Sequence, residues 1–358
     1  VEITLENGVT LLADLVVLAV GVRPATALAR AAGLELGPRG EVKIDAHMRT
    51  SDPHIYAAGD MVEVIDTISN APAVIALAGP ANRQGRIVAE NIAGRDSRYT
   101  TTQGTAIIKV FDMTGAMIGA TEKALLRNSR SYHKIYIHPS SHAGYYPGAT
   151  SMHLKLLFAP ESGKLLGAQI VGCDGVDKRI DVLATAIRAG MSVYELEQLE
   201  LAYAPPYGSA KDPVNLAGFV AANRLRGDVE FWYAEDYPAA TKDALIVDVR
   251  DRQEYEEWHI EGAFHLLLSE LRAWRAELRA AAGGCRVLLY CFVGFRSYLA
   301  YRILKQSGFA DVVTFAGGGK TFSGYHRAQL MTAALPAPFA AHAEQDRDAE
   351  HALVESAL

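Results

Sequence analysis

Tyr290-Cys291-Phe292-Val293-Gly294-Phe295-Arg296-Ser297 is the stretch whose reading decides the most. Before it, Arg286-Val287-Leu288-Leu289-Tyr290 is a short apolar run that reads as a buried strand. After it, Ser297 to Gly308 reads as a helix, with Leu299, Ile303 and Leu304 on one face and Gly308 as its stop. The cysteine is thus predicted on a loop between a strand and a helix N-terminus. Backbone N–H groups can turn inward there, and the helix end carries partial positive charge. Both favour a thiolate, the form a nucleophilic cysteine needs.

The totals frame that sulfur. At 358 residues the chain has room for two or three domains, and with 50% hydrophobic and 21% charged residues it can bury real cores. A net charge of −6 gives no basic footprint and argues against nucleic acid as a partner. Cys173, Cys285 and Cys291 are an odd, sparse set. They argue against a disulfide framework and for a reducing, cytoplasmic setting. No apolar run is long enough to span a membrane, no signal peptide is read, and no metal site is expected.

The chain opens at Val1 in what reads as mid-structure. Val1 to Leu5 alternates like a strand, Asn7-Gly8 signals a hairpin, and Leu15 to Val20 reads as a second, buried strand. An N-terminal truncation is the expectation. A helix is predicted from Ala25 to Ala32, strands over Gly40 to Asp45 and Ile55 to Ala58, and a helix from Val74 to Ile92. Further on, Thr105 to Phe111, Met152 to Phe158 and Leu165 to Val171 read as strands and Asp181 to Ala189 as an amphipathic helix, a βαβ-like block.

Residues 224–243 read as a partly packed linker. After it come a strand over Leu245 to Val247 ending in Asp248-Val249-Arg250, and a helix start where Asp251 and Glu254 suit a capping box. Then follow His259-Ile260-Glu261-Gly262-Ala263, a helix capped by Ser269 with Leu271, Trp274 and Leu278 on one face, the cysteine stretch, and a last strand over Asp311 to Phe315. Gly317-Gly318-Gly319-Lys320 closes the series. The segment Pro336 to Leu358, Ala-rich and acidic, is expected to be disordered.

Three groups of motifs carry resemblances. AVGVRP, GEVKIDAHMRTSDPHIYAAGD and LAGPANRQGRIVAENIAG resemble the flavoprotein disulfide reductase superfamily. The resemblance implies that Asp60 bonds the flavin ribityl chain, that Gly59 lets backbone approach it, and that Ala78 is a further cofactor contact. HAGYYPG (142–148), AYAPPY (202–207), KDPVN (211–215) and DKRID (177–181) look like the dimerisation domain of coenzyme A-disulfide reductases and their NADH oxidase relatives. There two tyrosines reach across the dimer to the partner's redox site, and by motif position they fall on Tyr145 and Tyr203, with Tyr146 and Tyr207 as close rivals. A phenol, with an ordinary pKa of about 10, can donate a proton to a departing thiolate at neutral pH. His142 reads as a loop histidine bonded to backbone, and Cys173 as an incidental thiol.

The ordered DVR, HIEGA and strand-Cys-loop-helix motifs resemble the rhodanese family over about Ala244 to Gln329. That implies a nucleophilic Cys291 that carries a persulfide, stabilised by loop N–H groups and the positive charge of Arg296. A cysteine phosphatase also uses a Cys-loop-Arg, but the four residues between Cys291 and Arg296 make a smaller cradle, suited to sulfur rather than phosphate. An inactive, partner-binding module is the other alternative. Phe292 and Phe295 suggest an apolar mouth; Asp248, Arg250 and His259 read as structural.

The whole resembles a coenzyme A-disulfide reductase fused to a rhodanese domain. The expected fold class is α/β: a partial FAD/NAD(P)-binding Rossmann-like region (1–24 and 25–98), an α+β dimerisation domain (99–223), the linker, then an α/β rhodanese domain with a central parallel sheet (244–333) and a tail (334–358). The resemblance implies a homodimer through 99–223 that uses FAD and NADH or NADPH to reduce CoA disulfide, CoA persulfide or polysulfide. Without a G-x-G-x-x-G and the family's N-terminal redox cysteine, this chain alone is expected to hold FAD weakly and not to turn over NADH. A dimerising sulfur carrier without redox function is the alternative reading.

Overall fold

The computed structural model describes residues 1–237 and 239–333, and these form two compact units. The first takes Val1–Asp66 and Asn70–Thr102. It contains β1 (Glu2–Thr4), β2 (Thr10–Leu12), α1 (Ala27–Ala31), β3 (Val64–Ile65), β4 (Pro72–Ala73) and α2 (Ala78–Ile92). β1 and β2 form the antiparallel hairpin that Asn7-Gly8 announces. Met48, Val62, Val64 and Tyr99 make a small core.

Several expectations fail in this unit. Leu15 to Val20 is not a strand; Leu15, Val17, Leu18 and Val20 stand exposed, with no ladder partner among the described residues. An apolar run becomes a strand only where another strand takes its N–H and C=O groups. Gly40 to Asp45 and Ile55 to Ala58 make isolated bridges, Val42 to Leu36 and Val62, and Tyr56 to Arg49, rather than strands. The helix expected from Val74 begins at Ala78, because Leu77 keeps an extended conformation (φ −139°).

The second unit runs on from Gln103, with Thr67–Ser69 added. Its first part is a five-stranded sheet: β5 (Ala106–Val110), β6 (Met113–Gly119), β7 (His133–Ile137), β8 (Met152–Phe158) and β9 (Leu165–Gly172). The order is β5-β6-β9-β8-β7 and every pairing is antiparallel. The block is therefore not βαβ-like. Strands β6 and β7, missed in the sequence, complete a sheet of neighbouring antiparallel strands. β8 and β9 fall where their apolar runs place them.

The helices are α3 (Glu122–Arg127), α4 (Val176–Arg188), α5 (Val193–Gln198) and α6 (Pro213–Leu225). Ile135, Leu154, Leu156 and Ile170 of the sheet pack with Ile180, Leu183 and Ile187 of α4 and with Val214, Ala217 and Ala221 of α6. Truncating one of these leucines or isoleucines to alanine costs about 2–5 kcal/mol.

A second sheet follows, built on β10 (Phe231–Trp232), β11 (Ala244–Asp248), β12 (Phe264–His265), β13 (Arg286–Tyr290) and β14 (Val312–Phe315). Around it stand α7 (Arg252–Glu257), α8 (Arg275–Ala282), α9 (Phe295–Gln306) and α10 (Gly318–Ala333). The order is β10-β14-β13-β11-β12, all parallel. Both faces are covered, which is why the central strands read as unbroken apolar runs. Val247, Leu289 and Leu304 lie in one core and Ile246, Leu288, Phe315 and Phe322 in the other.

The 224–243 stretch is more than a linker, since it supplies edge strand β10. Trp232 is buried, and its ring meets Phe315 edge-on with centroids 4.5 Å apart. The helix expected from Ser269 begins only at Arg275, so Leu271 is buried while Trp274 is exposed. The helix expected from Ser297 begins two residues earlier, at Phe295. The segment 336–358 lies outside the described residues.

Candidate active site

Cys291 directly follows β13 and is 1% exposed. The N–H of Gly294, the N-cap of α9, donates to its Sγ at 3.2 Å. This is the inward-turned loop amide that the strand–loop–helix reading calls for. Ser297 Oγ donates to the Gly294 carbonyl at 3.1 Å and steadies the turn.

The other side of the loop is clamped by the glycine run. Gly319 N donates to Cys291 O at 2.7 Å and Lys320 N to Phe292 O at 2.9 Å. Gly318 has φ +66°, and a Cβ there would stand 2.5 Å from Cys291 O and 2.7 Å from Phe292 O. In the sequence this run only closes the motif series; its role as a clamp on the loop comes from the fold.

Phe292 and Phe295, read as an apolar mouth, are both exposed. Arg296 differs from expectation. Its Nη1 and Nη2 donate to Glu254 at 2.6 and 2.7 Å, and Nη1 lies 3.3 Å from Asp251. The bond from Arg296 holds the Glu254 carboxyl below its ordinary range. The guanidinium is therefore shared: it ties the loop helix to α7 through Glu254 and Asp251, and it also lies within electrostatic reach of the Cys291 sulfur. The Asp251–Glu254 capping box is present as read.

Asp248 and Arg250 form a buried ion pair, with Nη2 to Oδ2 at 2.7 Å. The guanidinium lies over the Trp258 and Tyr290 rings at 5.4 and 5.5 Å. His259 stacks on Tyr255 with centroids 4.0 Å apart and bonds the Tyr255 carbonyl. All three are scaffolding.

Tyr145 and Tyr203 come from loops 58 residues apart, and their hydroxyls meet at 2.9 Å. Ala143 N donates to Gly208 O at 2.9 Å, joining the two loops. Beneath them Arg179 is buried and donates to Asp212 Oδ2 at 3.0 Å, while Asp212 Oδ1 caps α6 through Val214 N. From sequence, Asp177, Lys178 and Arg179 read as the solvated opening of a helix; Arg179 is instead buried, because Asp212 pairs its charge. The hydrogen bond to Tyr203 raises the Tyr145 pKa above the ordinary phenol value. The rival Tyr146 sits edge-on to His142, and Tyr207 is exposed. His142 is buried, with Nδ1 at 3.2 Å from the Ala143 carbonyl.

In the first unit, Gly59 N donates to Gln84 Oε1 of α2 at 2.7 Å. Gly59 has φ +90°, and a Cβ there would reach the Ala81 side chain at 4.0 Å. Asp60 is exposed, and Ala78 is the exposed first residue of α2, whose N-terminus has no side-chain cap. An exposed carboxylate can accept from the hydroxyls of a flavin's polyhydroxy chain, and a helix start without a side-chain cap can donate backbone N–H groups. Among the described residues no cluster of three or more His, Cys, Asp or Glu could hold a metal ion, and no helix is long and apolar enough to cross a membrane.

The pyridine nucleotide-disulphide oxidoreductase family matches residues 1–74, that family's dimerisation domain matches 105–213, and the rhodanese-like domain matches 234–324. The coenzyme A disulfide reductase of Staphylococcus haemolyticus is 36% identical over 220 residues, covering 61% of this chain and 50% of the relative. The solved structure of reduced Bacillus anthracis CoADR-RHD is 42% identical at a TM-score of 0.86, over 91% of this chain and 58% of that one. A NAD-dependent persulfide reductase from A. fulgidus is 38% identical at a TM-score of 0.81, over 88% of this chain and 57% of that one. The chain spans about half the length of the curated relatives it matches. In order, then, the chain matches a pyridine nucleotide-disulphide oxidoreductase model, that family's dimerisation domain and a rhodanese-like domain, and over most of its length it is similar to CoADR-RHD.

Proposed function

We propose that the protein works in an FAD-dependent, NAD(P)H-consuming reductase of CoA disulfide, CoA persulfide or polysulfide, and that its rhodanese domain carries sulfane sulfur on Cys291. The observation that carries the sulfur-transfer part is the Gly294 N–H aimed at Cys291 Sγ at the start of α9. Such a donor stabilises negative charge on the inner sulfur and on the persulfide that replaces it.

The chemistry balances without an outside oxidant. The Cys291 thiolate attacks the outer sulfur of a donor persulfide R–S–SH. The new Cys291–sulfur bond forms as the donor S–S bond breaks, and RS⁻ leaves. An acceptor thiolate then attacks the outer sulfur of Cys291–S–SH and regenerates the Cys291 thiolate.

For the reductase step, bound flavin supplies electrons from the nicotinamide to a disulfide. Gly59, Asp60 and Ala78 would hold part of that flavin. The Tyr145–Tyr203 pair would give a proton to the departing thiolate, since its raised pKa keeps Tyr145 protonated at neutral pH.

We assign both tyrosines, Cys291 and these flavin contacts as site residues, and Arg296 as a residue that positions the loop through Glu254. The working form is a homodimer through 99–223, supported by the dimerisation-domain match and by exposed Ile107, Ile108, Val110 and Phe111 around β5. Three free cysteines favour a reducing, cytoplasmic setting. Cys291→Ser tests the sulfur transfer: sulfane transfer from thiosulfate or a persulfide to cyanide should vanish. Transfer that persists in the variant through Cys173 or Cys285 contradicts the assignment.

A further inference from the structure

A chamber of about 220 Å³ lies between α6 and the loop that carries Cys291. Phe219 of α6, Phe231 of β10, Phe315 of β14 and Phe295 of the loop supply much of its wall. No aspartate or glutamate lines it. Its charged lining is Lys211, exposed at the rim, where the ammonium lies 5.8 Å from the Phe219 ring and makes no ion pair among the described residues. His138 also lines it, and burial, with the His153 ring and Lys320 beside it, keeps His138 neutral. Gly294, whose N–H holds Cys291 Sγ, forms part of the same wall.

The chemistry of this wall selects an occupant. Water gains few hydrogen bonds among phenyl rings, and an empty apolar chamber forfeits dispersion contacts. A cavity of about 150 Å³ holds benzene, so this one has room for roughly nine or ten non-hydrogen atoms. A lone ammonium at the rim matches one negative head.

We propose that this chamber binds a small anion with an apolar body, of the medium-chain carboxylate class, and that its occupancy restrains the Cys291 loop. The sulfur is almost wholly buried, and Val293, Gly294 and Phe295 of the segment that follows it line the chamber. An occupant seated between α6 and that wall favours the closed loop. This goes beyond the sulfur-transfer reading and stands apart from it, because the site needs no sulfur chemistry.

The test titrates the full chain with octanoate, with octylammonium as the opposite-charge probe, by calorimetry. Alkylation of Cys291 by iodoacetamide is followed by peptide mass spectrometry. Saturable octanoate binding is expected, with octylammonium binding undetected and Lys211→Glu, a surface change, weakening octanoate at least about fivefold. At three times the dissociation constant, Cys291 alkylation should slow about fourfold, while the exposed Cys173 and Cys285 keep their rates. Absence of saturable binding, binding indifferent to head charge and to Lys211→Glu, or an unchanged Cys291 rate would each overturn the proposal. Sulfane transfer measured without octanoate reports separately on the sulfur-transfer reading.

Discussion

At the residue scale, the candidate centre depends on what surrounds the sulfur as much as on the sulfur itself. Gly318 is the most exacting neighbour, because a methyl there meets two loop carbonyls inside contact distance in a backbone conformation that L side chains avoid. Gly318→Ala should destabilise the domain by about 1–3 kcal/mol. Sulfane transfer should fall with it, whereas Gly284→Ala, at φ +92° with open space around it, should cost stability without touching transfer. Thermal melts read beside transfer rates check this. The tyrosine pair makes a different claim. In the proposed reductase, assayed as a flavin-loaded protein that also carries the redox cysteine, Tyr145→Phe with Tyr203→Phe should slow CoA-disulfide reduction about 100-fold. Each single variant should lose less, because one hydroxyl remains at the site. A double variant with wild-type turnover would remove both from the site.

At the element scale, the rhodanese sheet meets the antiparallel sheet through β7 and the glycine run. His138 Nδ1 lies 2.7 Å from His153 Nδ1, and His138 Nε2 lies 2.8 Å from Thr321 Oγ1. Lys320 Nζ donates to Ser151 Oγ at 2.9 Å. Burial first, then the His153 and Lys320 charges, push His138 down to about 3. The unfolded chain therefore takes up this proton near the ordinary histidine value of about 6.5, while the folded chain does not until about 3. The stability from this junction is full above the unfolded value and is lost as pH falls from there toward the folded one. Chemical denaturation at pH 7.5 and pH 5 should show the loss, and His138→Asn should flatten that slope. An equal slope in the variant contradicts the assignment. The same scale shows what the sequence could and could not tell. The apolar runs of β8, β9, β11 and β13 were legible because they are buried on the sheet faces they pack. β6 was not, because Thr114 and Gly115 interrupt its apolar pattern, whereas in β7 Lys134 and Tyr136 alternate with buried Ile135 and Ile137, a short period-two signal that the sequence reading passed over. Cys291 was legible from strand, loop and helix in succession. The pairing of Arg296 with Glu254 was not, because it joins residues 42 apart through the fold.

At the scale of the whole molecule, the comparisons cover all three segments and the structure gives each its own core. Exposed Ile107, Ile108, Val110 and Phe111 gather an apolar face that a second copy would bury. Sedimentation should therefore report a dimer, and Ile108→Asp with Phe111→Asp should shift it to monomer; a wild-type monomer would remove 99–223 as the dimer interface. The central claim, that Cys291 is a sulfur station, has a more direct test. The protein is mixed with a persulfide donor, alkylated and mapped by mass spectrometry. The account predicts one added sulfur atom on the Cys291 peptide, lost on treatment with cyanide and absent in Cys291→Ser. Added sulfur on Cys173 or Cys285, with Cys291 bare, would contradict it.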